Sequence, residues 1–509
     1  MRFKKILSFA LALTLSLGAF QTFERNVPNS YAEEETAEDI FTFMNCVQFN
    51  KKTGTLRIFG EVDKEAVQHF NNEYADINPL YKKKGVKSII ASPGAVLPED
   101  SSYLFAHFTE VTSINLNAAD TSKITDMNHM FYDNTNLETL DISNFDTSNV
   151  KSMALMFYNC PKIKALDLSF FDTSNVTDMR GMFANDKSLT DIDFSSFNTS
   201  KVTDMEDMFF GCENITFLDL AKFDTSNVKN MSFMFADCKN LMYVPLTIIA
   251  GNTGNVIGGF NTHKVTKMSY MFRNCEKLES IDLAAFDTRN VSTMEGMFKG
   301  CKSIKEIDLS TFNVHNVINM SYMFADCTEL EQINMKDFIP SYRLRDTSYM
   351  FSSCSSLKTI YVDENWPDYD VKSVRHSENM FLDCRSIKGG NGTRYNTAYI
   401  DCQYANIDTK KNPGYLTSYD SSLAKFDESR FLGDVNNDGG VDASDASEIL
   451  SLYTSNSLNK ATPSSSDLAR CDVNNDGNIN AVDASYVLSY YAYKQTGGTD
   501  SFVDYMANN

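Results

Sequence analysis

Apolar positions recur with a fixed period through the middle of the chain. A Met-Phe pair begins at Met130, Met156, Met182, Met208, Met234, Met271, Met297, Met323, Met350 and Met380, in steps of 26 residues except for single steps of 37, 27 and 30. One unit runs Leu137-x-x-Leu140-Asp141-Ile142-Ser143-Asn144-Phe145-Asp146-Thr147-Ser148-Asn149-Val150, then Met153-x-x-Met156-Phe157-x-x-Cys160. Alternation around Leu140 predicts a short strand with its apolar side turned inward. Asp-Thr-Ser-Asn predicts a turn, since these side chains hydrogen-bond their own backbone. Met-x-x-Met-Phe sets apolar groups at i, i+3 and i+4, which predicts a short helical return segment. One such unit has too little apolar surface to fold alone, whereas stacked units share a continuous core.

The repeat accounts for the unusual composition. Of 23 methionines, 18 fall at the Met-Phe pair or three residues before it, so they read as core. Of 11 cysteines, Cys160, Cys212, Cys238, Cys275, Cys301, Cys327, Cys354 and Cys384 share one repeat position, held by Asn134 and Asp186 in two other units. Exchange with Asn and Asp points to a small polar group satisfying backbone at a coil corner; a disulfide between neighbouring rungs is the alternative. Cys46, Cys402 and Cys471 lie outside the column.

The Leu-x-x-Leu-x-Leu segment is that of a leucine-rich repeat. The longer run Phe-Asp-Thr-Ser-Asn-Val-x-x-Met-x-x-Met-Phe-x-x-Cys resembles the BspA-type leucine-rich repeats of bacterial surface proteins. Thr53-Gly54-Thr55-Leu56 and Leu97-Pro98-Glu99-Asp100 resemble that family's N-terminal cap, and Gly390 through Tyr415 its closing segment. The resemblance covers residues 40 to about 418 and implies an interaction surface, sometimes adhesive, with no common ligand. Between the inward strand residues runs a column that includes Asp141, Asp167, Asp193, Asp219, Asp282 and Asp308. It reads either as a cation-attracting face or as local acceptors for hydroxyls such as Ser143, Ser169 and Ser310. The 37-residue step holds an insertion around Thr247 to Gly259, readable as a contact loop or as tolerated decoration.

Past Gly433 the pattern changes to two loops in register, 38 residues apart. Asp434, Asn436, Asp438, Gly440, Asp442 and Asp445 in the first match Asp472, Asn474, Asp476, Asn478, Asn480 and Asp483 in the second. Oxygen side chains at positions 1, 3, 5 and 12, Gly at 6 and a carbonyl at 7 suit Ca²⁺, which takes six to eight oxygens. Position 9, Asp442 or Asn480, is expected to reach the ion through water. Each loop leads into an apolar helix, so two Ca²⁺ ions are expected.

Asp rather than Glu at position 12, the absence of a preceding EF-type helix and the 38-residue duplication resemble a type I dockerin over about 431–496. The resemblance implies calcium-dependent docking onto a cohesin module of a scaffold protein, as in cellulosomes. It also implies that Ala443, Ser444, Leu450 and Ser451, with Ala481, Val482, Leu488 and Ser489, contact the cohesin, so that either half could face it. The fold class expected is therefore an α/β leucine-rich repeat solenoid of about ten 26-residue coils plus a small all-α calcium-binding dockerin.

Charge and chemistry narrow the function. The 509 residues carry 46 basic and 67 acidic side chains, a net −21, which argues against nucleic acid as a partner. Arg2, Lys4 and Lys5, the apolar Ile6–Phe20 and the small-x-small Ser30-Tyr31-Ala32 read as a cleaved signal peptide; a single uncleaved anchor is the alternative. No later segment is long enough for a transmembrane anchor. Six scattered histidines show no metal or triad spacing, and the carboxylates belong to the repeated column or the calcium loops, so no catalytic pair emerges. The layout expected is signal 1–32, N-terminal cap 33–110, repeats 111–384, closing cap and linker 385–430, dockerin 431–496 and tail 497–509. The function expected is a secreted, non-catalytic interaction protein held by its dockerin in a cell-surface or cellulosome-like complex, its solenoid binding a protein or cell-surface partner. The alternative is a polysaccharide-binding or polysaccharide-degrading subunit.

Overall fold

A computed structural model describes residues 40–71 and 85–419, apart from 221, 243, 245–246, 250–255, 282, 284, 365 and 367–373. In the C-terminal part it describes 435, 441–459, 471, 473–474, 478–496 and 505. The chain enters through an antiparallel meander of β1 (Ile40–Phe43), β2 (Val47–Asn50) and β3 (Thr55–Ile58). A short helix, α1 (Lys64–Gln68), follows, capped by the Asp63 carboxylate on the Ala66 N–H. From β3 onward pairing is parallel, through β4 (Ser88–Ala91), β5 (Ser113–Asn115) and β6 (Thr139–Asp141). The same register continues in β7 (Ala165–Leu166) with β8 (Asp191–Ile192). After the insertion, whose ends pair as the antiparallel β9 (Thr247–Ile249) and β10 (Val256–Gly259), come β11 (Glu306–Asp308), β12 (Gln332–Met335), β13 (Thr359–Val362) and β14 (Leu416–Ser418). This is a leucine-rich-repeat-like solenoid.

The return side differs from the helical expectation. Met-x-x-Met-Phe forms hydrogen-bonded turns, not a helix. Alternate N–H groups leave the coil: Met127 donates to Ser152 O, His129 to Ala154 O, Phe131 to Met156 O and Asp133 to Tyr158 O. The N–H groups of Met130 and Tyr132 close back on Met127 and His129. A helix would direct its N–H groups along its own axis, whereas here half of them stitch one coil to the next. The geometry requires two left-handed residues per coil. One precedes the Cys column, as Asp133, Asn159, Asn185, Gly211, Asp237 and Asn274, at φ +55° to +70°. Asp, Asn and Gly tolerate that region best. The other precedes the Met-Phe pair and includes Leu155, Phe233 and Tyr270, whose bulk makes this a strained position.

Each residue of Asp-Thr-Ser-Asn-Val has a separate task. Asp146 Oδ1 accepts from the Ser148 N–H and hydroxyl, which turns the corner. Thr147, buried, accepts the Asp172 N–H and donates to the Asp172 carbonyl of the next coil. Asn149 reaches back to the Ser122 carbonyl of the coil before, and Val150 enters the core. The turn reading therefore holds for Asp and Ser, while Thr and Asn are inter-coil clamps. Inside, Phe rings stack from Phe105 and Phe131 through Phe351 and Phe381, with centroids 5.3–5.8 Å apart.

All eleven cysteines are free and buried. The column cysteines donate Sγ–H to the Phe carbonyl of the preceding coil at 2.8–3.2 Å, as Cys212 does to Phe183 O. Asn134 performs the same task through Nδ2 on Phe105 O. Asp186 accepts the Cys160 N–H at 2.7 Å, its second oxygen has no partner, and burial pushes its carboxyl well above the usual range. The closing segment is pinned by Asp408. Its carboxylate accepts from Asn391 N, Thr393 N, Thr393 Oγ1 and Gly414 N, so the Gly390–Thr393 loop cradles the protein's own carboxylate.

Replacing Thr173, which clamps Asn198 through both its N–H and C=O, by Val should cost about 1–3 kcal/mol. Chemical denaturation would measure it, and faster hydrogen exchange at the Asn198 amide would localise it. Asp186→Asn should stabilise the chain. A buried acid with a raised pKa contributes its stability fully below the ordinary carboxylate value of about 4 and loses it as pH rises. The variant's advantage should therefore be largest at pH 8 and shrink toward pH 4, read as the difference in denaturation midpoints.

Candidate functional site

The two duplicated loops form the candidate site, and the helices they lead into carry its surface. α2 (Ala443–Asn459) and α3 (Ala481–Gln495) begin right after position 9 of each loop. Asp442 Oδ1 accepts from the Ser444 N–H and hydroxyl, and Asn480 Oδ1 accepts the Val482 N–H. Position 9 is thus committed to starting the helix, and at α3 a capping box with Asp483 completes the start.

Position 12 closes each loop from inside. Asp445, fully buried, accepts the Val435 N–H at 2.8 Å and the Asp442 N–H at 2.9 Å. Asp483, equally buried, accepts the Val473 N–H at 3.0 Å and the Asn480 N–H at 2.8 Å. The two copies therefore share one wiring: position 12 gathers positions 2 and 9. A buried acid is stable when it meets a cation. With Asn474 and Asn478 in the second loop, this oxygen donor set fits a hard divalent cation. Asp434, Asn436, Asp438, Gly440, Asp472 and Asp476 lie outside the described residues. Among the described residues alone, no group of three or more His, Cys, Asp or Glu is placed to hold a metal.

The helices pack through a small core of their own. Ala446 and Ile449 of α2 meet Ala484, Val487 and Tyr490 of α3, with Cys471, Val473 and Ile479. This leaves Leu450, Ser451, Ala481, Val482, Leu488 and Ser489 exposed and Ala443 and Ser444 half-buried. Leu450, Val482 and Leu488 keep 40–48% of their surface in water. Sequence reasoning missed Tyr453 and Tyr491. They lie three residues beyond Leu450 and Leu488, 38 residues apart, and are exposed on the same side as those leucines. Their identity in both copies was the available signal.

On the solenoid the Asp column has mainly a local use. Asp141, Asp167, Asp193 and Asp308 accept the N–H of the residue two ahead, and for Asp141 and Asp167 the Ser hydroxyl as well. The single tryptophan, Trp366, is buried and donates Nε1–H to the Ala405 carbonyl, so it is no sugar platform. His129 stacks on Tyr103 at 4.2 Å, and His107 faces Asp133 at 3.3 Å. No helix among the described residues is long and apolar enough to cross a membrane.

The family described as "Mycoplasma protein of unknown function, DUF285" matches residues 99–191, 152–245, 247–366 and 342–408, together more than half of the chain. The chain belongs to this family of BspA-like repeats, and its C-terminus carries a dockerin type I domain, matched over 432–490. Dockerin type I domains bind calcium. No curated protein matches the chain. Among solved structures it is similar to a leucine-rich repeat protein from Bacteroides ovatus, at 14% identity over 71% of this chain and 82% of that one, TM-score 0.31. A leucine-rich cell surface protein from Faecalibacterium prausnitzii matches at 13% identity over 67% and 97%, TM-score 0.22. An internalin from Listeria monocytogenes matches at 12% identity over 64% and 86%, TM-score 0.20.

The cap at α3 gives a direct test. Asn480→Ala removes the side-chain acceptor of the first turn and should cost about 1 kcal/mol. Loss of helical circular dichroism at lower temperature in the protein at saturating calcium would report it, and an unchanged melting curve would deny Asn480 this role.

Proposed function

We propose that this protein is an exported, non-catalytic binding subunit, tethered through its dockerin to a cohesin module of a scaffold protein. Its solenoid of about ten coils presents a surface to a protein or cell-surface partner. The observation that carries the reading is the duplicated wiring: two buried position-12 carboxylates, Asp445 and Asp483, each gather their own loop at the foot of a helix whose outer face carries apolar groups. One ion would be held by Asp434, Asn436, Asp438, Asp445 and the Gly440 carbonyl, with Asp442 reaching it through water. The other would be held by Asp472, Asn474, Asp476, Asp483 and the Asn478 carbonyl, with Asn480 reaching it through water. Bound Ca²⁺ supplies the positive charge that lets these acids stay ionised together. The protein's own part is to convert that closure into fixed helix starts at Ala443 and Ala481.

Cohesin recognition then falls to Ala443, Ser444, Leu450 and Ser451, or to Ala481, Val482, Leu488 and Ser489. Because the copies share their pattern except at Ser444 and Val482, either set can serve. The acidic tail fits this use: residues 433–509 hold 11 acidic and 3 basic side chains, a repulsion that two divalent ions relieve.

Chelating calcium should abolish cohesin binding and melt the C-terminal helices, read by calorimetry and circular dichroism. Changing Leu450 and Ser451 alone, or Leu488 and Ser489 alone, should cost little, whereas all four together should remove binding. Full binding to cohesin in excess chelator would overturn the docking assignment. Hydrolysis of plant polysaccharide by the purified chain would overturn the non-catalytic reading.

A further inference from the structure

Outward strand positions on the solenoid are polar along most of its length. Strand pairing aligns Ser113 with Thr139, and Glu306 with Gln332 and Thr359, and the repeat spacing puts these residues and Ala165 at one outward position. The adjoining column, fixed by bonds such as Thr190 N to Lys164 O and Glu331 N to Lys305 O, is equally polar. Among the described residues two large apolar groups break the pattern, and they are neighbours. Phe217 takes the first column and Met242 the second, one coil apart, each 47% exposed. The Met242 N–H donates to the carbonyl of Thr216, the residue before Phe217, which sets them side by side. The inserted hairpin begins five residues after Met242, at Thr247.

Alongside run Asp167, Asp193 and Asp219, exposed two residues beyond the Phe217 column. Hydrogen bonds from Ser169 and Ser195 hold the first two in their outward corner positions. With Asp141 on the preceding coil they outnumber the exposed Lys164 and Lys222, so the face is negative. A thioether beside a phenyl ring gives an adaptable apolar seat, of the kind enriched in protein interfaces, rather than a flat stacking plane. The acids beside it select cationic flanks. We propose that the sheet face centred on Phe217 and Met242, edged by Asp167, Asp193 and Asp219, docks a protein segment offering apolar side chains flanked by lysine or arginine. This rests on the reading of the solenoid as an interaction module and names what that module binds.

The test uses the full chain with calcium and a fluorescein-labelled peptide of alternating leucine and lysine, read by fluorescence anisotropy. Phe217→Thr with Met242→Thr, residues that other coils place in these columns, should weaken binding about tenfold. Phe170→Ser, at an exposed ring outside the patch, should leave it unchanged. Asp167→Asn with Asp193→Asn keeps the corner acceptors, so it tests the charge even where the apolar pair alters stability; it should weaken binding and flatten its salt dependence. Equal affinity for a leucine–glutamate peptide, or no loss in either double variant, would overturn the proposal. So would cello-oligosaccharide binding that is lost in the apolar variant while peptide binding is kept. Cohesin binding, measured on the same variants, should not move; its absence in the wild type would count against the docking reading and leave this one standing.

Discussion

Everything in the solenoid depends on one requirement: the backbone of each coil must find its hydrogen-bond partners in the coils beside it. A 26-residue loop has few partners of its own, and a buried N–H or C=O left alone costs about 1–3 kcal/mol. The strands meet the requirement on one side through parallel pairing. The return side meets it with turns whose alternate N–H groups point to the next coil. The Thr147 and Thr173 hydroxyls complete the circuit by both donating and accepting across the gap.

The acidic composition follows from that wiring. A coil must change direction several times, and a short carboxylate bonding the N–H two residues ahead does so cheaply. Asp167, Asp172 and Asp178 turn three corners of one coil in this way. Much of the negative charge is thus architectural. The interior column shows the same economy in reverse: Cys and Asn each supply one donor to a Phe carbonyl, and Asp186 holds the place with a carboxyl that burial keeps from ionising easily.

The departures from the repeat are what set one coil apart from another. Regular coils offer polar outward columns, so a pair such as Phe217 and Met242 beside an insertion stands apart. The C-terminal module uses the same device at higher charge density, with Asp445 and Asp483 gathering backbone N–H groups at their loops. There the two position-12 acids are fully buried, and a bound cation would stabilise them.

Much of this was written in the sequence. Period, stacking and buried methionines follow from the spacing of Met-Phe pairs, because a repeat that cannot bury its own apolar face has to stack. The two C-terminal helices and the dockerin module were legible because the residue types of the duplicated loops recur at fixed offsets before each helix. The return segment was misjudged for a physical reason. An i, i+3, i+4 apolar pattern fits a helix and also a chain of turns, and only the left-handed residue before each Cys, usually Asp, Asn or Gly, distinguishes them. Sequence placed Thr and Asn of the motif at a turn but could not say that their partners lie a coil away. Tertiary structure alone decided that, along with which carboxylates serve as corners and which apolar side chains remain outside. Those outcomes depend on stacking register, a relation between segments about 26 residues apart that no single unit contains.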